Sequence, residues 1–303
     1  MPREPTETSA PTMTHHLIFP ATWIDASGLE EILSTVGGPH EAATIDSRFT
    51  FPIGCKVMID AAVRLLSLLN QLDHSCRFAT LDFEEGESGV MGYLNRMGFF
   101  DYLSQNIAVE PARPDYSGAE LFGGGSRRLV EIAKISRQSR DESLPTRLSD
   151  TLMLACQNRP DVEELGGAAW TIFAELIDNI FSHSETLLDG YAALQVYRRG
   201  NSLKVAVSDS GLGIMQTLRP ALEGESPALA RLSDVDLLVE VFRQGLSRHG
   251  ADRGCGLRSS AAKAVKYKAD LEVRLPNMRV LLTPGQEGYR ANTAYCYDHL
   301  PLL

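Results

Sequence analysis

The N-terminal half of the chain carries apolar side chains at two different spacings. Residues 56–72 (KVMIDAAVRLLSLLNQL) have the three-and-four spacing that predicts a helix. Residues 77–83 (RFATLDF) form an apolar run typical of a buried strand, and residues 90–103 predict a helix broken at Gly98. Because strands and helices alternate, this half is predicted to form an α/β layer.

The C-terminal half has more strands and shorter connections. Tight connections between several strands favour antiparallel pairs, and helices precede and interrupt the series. These features predict an α+β sandwich, with a mixed sheet that carries helices on one face. The predicted strands are residues 190–199, 202–210, 270–275, 278–283 and 293–300.

A glycine-rich loop separates the two halves. The triple glycine at 123–125 lies close to Pro111 and Pro114, and this combination is typical of a boundary. The chain has 303 residues, which is room for about two domains. We expect a disordered lead over residues 1–15, a first domain over 16–112, a linker with a connecting helix over 113–139 and a second domain over 140–303.

The composition argues against several classes of protein. The net charge of −10 disfavours non-specific nucleic-acid binding, which needs clustered positive charge. No run of about 18 apolar residues is present to predict a membrane span. The five cysteines are dispersed and form no C-x-x-C pair, so we expect neither a disulfide framework nor a zinc site. A cytoplasmic location fits this pattern best.

The segment AELIDNIFSHS predicts an amphipathic helix with an unusual polar face. At 100° per residue, Glu175, Asn179 and His183 fall within about 80° of one another. Asp178 lies on the same side, and the apolar residues lie opposite. A carboxylate and an amide one turn apart suit a hard cation or a water molecule to be activated. The alternative interpretation is an ordinary solvated face.

A first glycine-rich turn, VSDSGLGIM, follows a predicted strand. Asp209 stands at the strand end, where a carboxylate can accept a hydrogen bond from an exocyclic amine. Gly211 and Gly213 allow positive φ and the close approach of a ligand to the backbone. An ordinary strand-to-loop turn would explain the same residues.

A second glycine-rich turn feeds a predicted helix that begins near residue 257. Gly254 and Gly256 precede this helix, and free N–H groups at such a helix start attract anions. Between residues 243 and 268 there are seven Arg or Lys residues and one acid. The turn therefore predicts an anion site, and the alternative is a mobile basic loop without a ligand.

Three motifs occur in a fixed order: E-x-x-x-N on a helix, D-x-G-x-G after a strand, and G-x-G at a helix start. This order resembles the GHKL family of ATP-binding domains, which includes gyrase B, MutL, histidine kinases and anti-sigma-factor kinases. The resemblance covers residues 140–303 and implies a Bergerat-type two-layer α/β sandwich that binds ATP and Mg²⁺.

The resemblance also implies a role for each matching residue. Glu175 would be the base that activates the attacking water, Asn179 would bind Mg²⁺, and Asp209 would accept from the adenine amino group. Residues 243–253 would form a lid over the nucleotide. The other residues implied to bind ATP are Gly211, Gly213, Gly254, Cys255, Gly256, Leu257 and Thr293.

The N-terminal half resembles the STAS domains of anti-sigma-factor antagonists. The matching segments are FTFPIGCKVMIDAAVRLLSLL, RFATLDF and GYLNRMGFF. Ile53 stands where such antagonists carry a phosphorylatable serine, so the phosphorylation switch is expected to be absent. The resemblance then implies a docking or dimerising module with a protein partner or a second copy of the chain.

Three functions are compatible with these motifs. The first is an ATPase that acts as a regulatory switch. The second is a protein kinase of the anti-sigma-factor type, which would pass the γ-phosphate to a Ser or Thr of another protein. The third is a nucleotide-binding interaction module without turnover. Residues 128–158 contain no histidine, which argues against a conventional sensor histidine kinase.

Overall fold

The computed structural model describes residues 14–35, 39, 44–136, 138–183, 186–197, 202–247 and 255–296. Within these residues the chain combines a parallel sheet, antiparallel sheets and helices, which confirms a mixed α+β protein. The predicted disordered lead is described only from Thr14, where the first strand already begins. Most of the predicted lid and the last residues of the final predicted strand lie outside the described part.

A four-stranded parallel sheet forms the N-terminal half, in the order β1-β3-β5-β6. Its strands are β1 (Thr14–Ile18), β3 (Asp46–Phe51), β5 (Phe78–Phe83) and β6 (Ala108–Glu110), and β2 (Trp23–Ile24) pairs with β4 (Lys56–Val57). The helices are α1 (Ala26–Thr35), α2 (Ile59–His74), α3 (Val90–Arg96), α4 (Phe99–Tyr102) and α5 (Gly118–Phe122). Gly98 separates α3 from α4 with a φ of 78°, which confirms the predicted break.

The first sheet of the C-terminal half is antiparallel, in the order β7-β8-β9. It consists of β7 (Leu129–Ile135), β8 (Gly190–Tyr197) and β9 (Ser202–Ser208), and it packs against α6 (Leu144–Ala155) and α7 (Val162–His183). The connecting helix predicted within residues 113–139 is therefore wrong, because residues 129–135 form a strand. The side chains of Val130 and Ile132 are buried on opposite sides of β7, in two different apolar cores.

A second antiparallel sheet, in the order β10-β11-β12, ends the described chain. The elements are α8 (Ile214–Glu225), α9 (Pro227–Ala230), α10 (Asp234–Glu240), a π-helical turn (Val241–Gly245), α11 (Cys255–Lys266), β10 (Leu271–Leu275), β11 (Met278–Gly285) and β12 (Gly288–Cys296). The single mixed sheet predicted for this half is not found in the described residues. Two-residue turns join β10 to β11 and β11 to β12, so each of these strands pairs with its neighbour in the chain. Helices α8 to α11 lie between β9 and β10 in the sequence.

Helix α2 lies between the parallel sheet and the β7-β8-β9 sheet. Most of its side chains are buried, as expected of a helix between two layers, and Asp60, Arg64 and Gln71 form a partly exposed polar stripe on one side. Tyr191 and Ala193 of β8 belong to the core around α2, whereas Ala192 and Leu194 face α6 and α7. The prediction of helices on one face is therefore wrong for this sheet, because α2 covers the second face. The division into two domains stays a prediction, and the two halves share a core.

Two ion-pair clusters join α1 to the rest of the molecule. The buried Glu30 carboxylate contacts Arg64 of α2 at 2.7 Å and Arg274 of β10 at 2.9 Å. Lys204 of β9 contacts Asp60 at 2.6 Å and Asp25 at 3.2 Å. The pKa of Lys204 is raised overall, because the two aspartates outweigh the opposing effect of desolvation. Both clusters connect N-terminal helices to C-terminal strands.

Candidate functional site

Helix α7 presents the polar face that the sequence predicts. Phe173, Ile177 and Ile180 are buried against the β7-β8-β9 sheet. Glu175 and Asn179 are partly exposed on the other side of the helix. The side chains of Ser182 and His183 lie outside the described part, so the predicted place of the histidine on this face is not tested.

Arg140 forms an ion pair with Asp178, which also lies on the polar face of α7. Its guanidinium lies 2.9 Å from Asp178, and the same group stacks 5.1 Å from the ring centre of Phe181. Sequence reasoning missed Arg140, because it lies in the loop before α6 and no helical spacing connects it to α7. The pair supplies a local cation for Asp178, so Glu175 and Asn179 are the groups left for chemistry.

The carboxyl group of Glu175 has a perturbed pKa. Desolvation raises the pKa, the neighbouring Asp178 carboxylate raises it further, and a hydrogen bond from Asn179 lowers it in part. The net effect is a raised pKa, which is a common property of acids and bases in functional sites. The hydrogen bond also joins the two residues of the E-x-x-x-N motif directly.

The start of α11 lies against Glu175. A Cβ built on Gly256 would overlap the Glu175 carboxyl group, so only glycine fits there without a shift. At the other end of the two helices, Lys266 forms an ion pair with Glu164, so α7 and α11 run antiparallel. The structure thereby brings together the helix motif and the G-x-G turn.

The remaining residues of the G-x-G turn are only partly described. Leu257 is half-buried and packs on the C-terminal core, so its side chain anchors the first turn of α11. The backbone of Cys255 begins α11, but its side chain lies outside the described part, as does the whole of Gly254. Their predicted contacts with phosphate therefore remain predictions.

Asp209 directly follows β9 and has no cation partner within the described residues. Its Oδ1 accepts a long hydrogen bond from the Gly211 N–H, at 3.4 Å. Desolvation raises the pKa of Asp209, and the Gly211 N–H lowers it only in part. The side chain is nevertheless accessible to solvent.

Gly213 begins α8 with a φ of 80°, where a side chain is strained. A Cβ at this position would lie 2.9 Å from Pro276 Cδ, in the turn between β10 and β11. The D-x-G-x-G turn is thus packed against the second antiparallel sheet. Gly213 is therefore needed for this path of the backbone, whether or not a ligand is bound.

The end of β9 lies beside α7. A Cβ on Gly190 would be 2.9 Å from the Ser208 carbonyl oxygen and 3.0 Å from Ile180 Cδ1. Ser208 precedes Asp209, and Ile180 follows Asn179, so two motifs meet at this point. Thr293 is not joined to them by any hydrogen bond of the described residues. It lies exposed on β12 opposite Leu281, in the sheet that does not pair with β9.

Neither a metal site in the described residues nor a known relative of the chain was found. Within the described ranges no group of three or more His, Cys, Asp or Glu side chains could hold a metal ion, and no helix there is long and apolar enough to cross a membrane. No protein-family model matches the chain, and neither a curated protein nor a solved structure was found to be similar to it. The assignment of a family therefore depends on the motif order and the site geometry.

Proposed function

We propose that residues 140–303 form a Mg²⁺-dependent ATPase of the GHKL type, with a Bergerat-type nucleotide site, that acts as a regulatory switch. The contact between Gly256 and the Glu175 carboxyl group is the observation that carries the proposal. It unites two motifs that are far apart in the sequence. Chance proximity of a carboxylate, an amide and a glycine-rich helix start is a weaker explanation than a common site.

Three groups of atoms would hold the nucleotide. The first N–H groups of α11 have no intrahelical partners and lie at the positive end of the helix dipole, so they suit the phosphate oxygens. Asn179, together with water and phosphate oxygens, suits Mg²⁺. The Oδ2 atom of Asp209 has no hydrogen-bond partner among the described residues and would accept a hydrogen bond from the adenine amino group.

Glu175 would act as the general base. Its raised pKa makes the carboxylate a better proton acceptor near neutral pH than an unperturbed glutamate. Partial exposure lets a water molecule reach it. The proton would move from the attacking water to the Glu175 carboxylate, while the γ-phosphoryl group passes to the water oxygen and its bond to the bridging oxygen of the β-phosphate breaks, so that ADP leaves.

The same contact suggests how the switch would work. The Glu175 carboxylate faces the helix start that phosphate would use. Two negative groups cannot share this position, so binding of ATP would require Glu175 or the first turn of α11 to move. Ser67 of α2 contacts Ser208 next to Asp209 at 2.8 Å, which gives the N-terminal half direct contact with the site. The STAS-like half would then present the change to a protein partner or to a second copy.

A serine/threonine protein kinase of the anti-sigma-factor type is the second candidate. The observation in its favour is the partial exposure of Glu175, because a hydroxyl group of another protein could then replace the attacking water. The chemistry at Glu175 would be the same, since the proton of the hydroxyl group would pass to the carboxylate. Only the acceptor of the phosphoryl group differs.

Incubation with γ-labelled ATP and Mg²⁺ tests the proposal, with free phosphate and protein-bound label counted separately. We expect phosphate release by the wild type, loss of release with retained binding for Glu175→Gln, and loss of binding for Asp209→Asn. Glu163→Gln on the exposed side of α7 and Asp150→Asn on α6 are matched controls that should behave like the wild type. Binding without release would favour an interaction module or a kinase without its substrate. Unchanged ATP affinity in Asp209→Asn would refute the nucleotide site.

A further inference from the structure

A cavity of about 510 Å³ lies at the far end of α11 from Gly256. Helix α11 rises by about 15 Å from Gly256 to Lys266, so the cavity is separate from the proposed nucleotide site. Its walls are the turn after α11 and the hairpin between β11 and β12. Its volume falls in the range of small-molecule sites, and its lining is mostly polar.

Two cations face this cavity without a protein partner. Among the described residues, the side chains of Lys268 and Arg290 form no hydrogen bond and no ion pair, and the single acid in the lining is Asp270. The rest of the chain is acidic, with a net charge of −10. An unpaired lysine and arginine that converge on one cavity are a common arrangement for binding an oxyanion.

Two uncharged polar side chains, Thr283 and Asn292, also line the cavity. The Thr283 hydroxyl oxygen is buried and has no hydrogen-bond partner in the described part of the chain. An unsatisfied buried hydroxyl is costly, and a bound ligand would supply the missing partner. Asn292 is the extra residue of a β-bulge in β12, and bulges commonly redirect a side chain beside a site.

Lys268 is held in a backbone conformation that favours glycine. It follows α11 with a φ of 56°, and the N–H groups of Lys268 and Ala269 close the helix end with hydrogen bonds to Val265 and Ala264. Glycine is the usual residue at this position of such a helix end, because a side chain is strained there. A lysine in this position loses stability and places a cation at the cavity.

One hydrogen bond holds the two walls together. The Tyr289 hydroxyl of β12 donates to the Ala269 carbonyl oxygen at 2.7 Å, and Ala269 lies between Lys268 and Asp270. Burial raises the pKa of Tyr289 to about 12, so this donor keeps its proton over the physiological range. The two backbone segments that carry Lys268 and Arg290 are therefore held together before any ligand binds.

We propose that this cavity binds a small molecule through a phosphate or carboxylate group, which Lys268, Arg290, Asn292 and the Thr283 hydroxyl would contact. The Asp270 carboxylate would accept a hydrogen bond from a donor group elsewhere on the same ligand. The site is independent of the proposed nucleotide site, because it shares no residue with it.

Thermal unfolding of the full-length chain with inorganic phosphate, with sulfate and with acetate tests the proposal. Ionic strength is held constant with sodium chloride, because surface electrostatics depend on salt. We expect a saturable rise in Tm with at least one anion. A rise with phosphate and sulfate would identify a tetrahedral oxyanion, and a rise with acetate alone would identify a carboxylate. No rise with any of them would overturn the proposal.

Two variants localise the effect. Arg290→Met should weaken the binding of the anion at least tenfold. Lys268→Gly should weaken binding by the same factor, but it should also raise the Tm in the absence of anion, because glycine removes the strain of the left-handed backbone conformation. This opposite change in stability separates loss of binding from misfolding. Lys263→Met, earlier on α11, is the matched control and should bind as the wild type does. Protection that persists in both cavity variants would mean that the anion binds elsewhere and would refute the site.

Discussion

Replacing Glu30 by glutamine tests how strongly the two halves of the chain are held together. The carboxylate is only 4% exposed and receives two guanidinium groups, from Arg64 and Arg274. Glutamine keeps the shape and removes the charge, which leaves both arginines without their shared carboxylate. The packing of α1 against α2 and β10 depends on this group.

The magnitude follows from the pKa of Glu30. Burial alone would raise the pKa, but the charges and hydrogen bonds of Arg64 and Arg274 lower it from 4.5 to about 2. At about 1.4 kcal/mol per pH unit, this difference corresponds to about 3 kcal/mol of stability at neutral pH. Removal of one partner from a buried ion pair costs about 3–5 kcal/mol in other proteins, which is the same size.

The pH dependence has a definite sign. Because the pKa of Glu30 is lower in the folded chain, its contribution is complete above about 4.5 and disappears as the pH falls towards about 2. Urea unfolding of Glu30→Gln should therefore give a free energy about 3 kcal/mol below the wild type at pH 7, and the difference should shrink between pH 4.5 and pH 2.

The exposed neighbour Glu31 provides the control. Glu31→Gln should change the free energy of unfolding by less than about 0.5 kcal/mol at any of these pH values. A cost below about 1 kcal/mol for Glu30→Gln at pH 7, or a difference that stays constant on acidification, would refute the two-arginine clamp.

Three further outcomes are expected. Gly256→Ala should cost less than about 1 kcal/mol in a thermal melt, because the overlapping Glu175 carboxyl group is the end of a flexible, partly exposed side chain that can turn away from the new methyl group. Lys204→Met should leave two aspartates without their lysine, and because the pKa of Lys204 is raised from 10.5 in the folded chain, the deficit in urea unfolding should be complete at pH 7 and shrink as the pH rises above about 10.5. Cys55 is buried and desolvation raises its pKa to about 11, so a thiol reagent at pH 8 should label it only after unfolding, whereas the exposed Cys76 and Cys296 should react in the native chain; peptide mapping that finds Cys55 labelled as rapidly as these two would contradict its placement.

Periodicity predicted the local elements well wherever a segment had one dominant spacing. Helix α2, strand β5 and the break at Gly98 lie close to their expected positions. Strand β7 was missed because its six-letter pattern VEIAKI mixes charged and apolar residues and lies among polar neighbours. Only its pairing with β8 decides between helix and strand, and that contact is not local.

The candidate site was predictable as a set of residues, but its neighbours were not. The order of the motifs predicted that Glu175 and Gly256 meet, and their contact agrees with it. Arg140 carries no motif, and its pairing with Asp178 depends on the loop before α6. The separate sheet of β12 removes Thr293 from the other residues, because strand pairing depends on turns and packing that spacing alone does not encode.

The position of α2 has a consequence for how the molecule unfolds. One helix supplies side chains to the core that it shares with both neighbouring sheets, so the parallel sheet and the β7-β8-β9 sheet depend on the same packing. If α2 were displaced, Tyr191 of β8 would lose its hydrogen bond from Asn70, and the apolar side of β8 would face water. These two sheets should therefore unfold in one cooperative step, with hydrogen-exchange protection in α2 and β8 lost together.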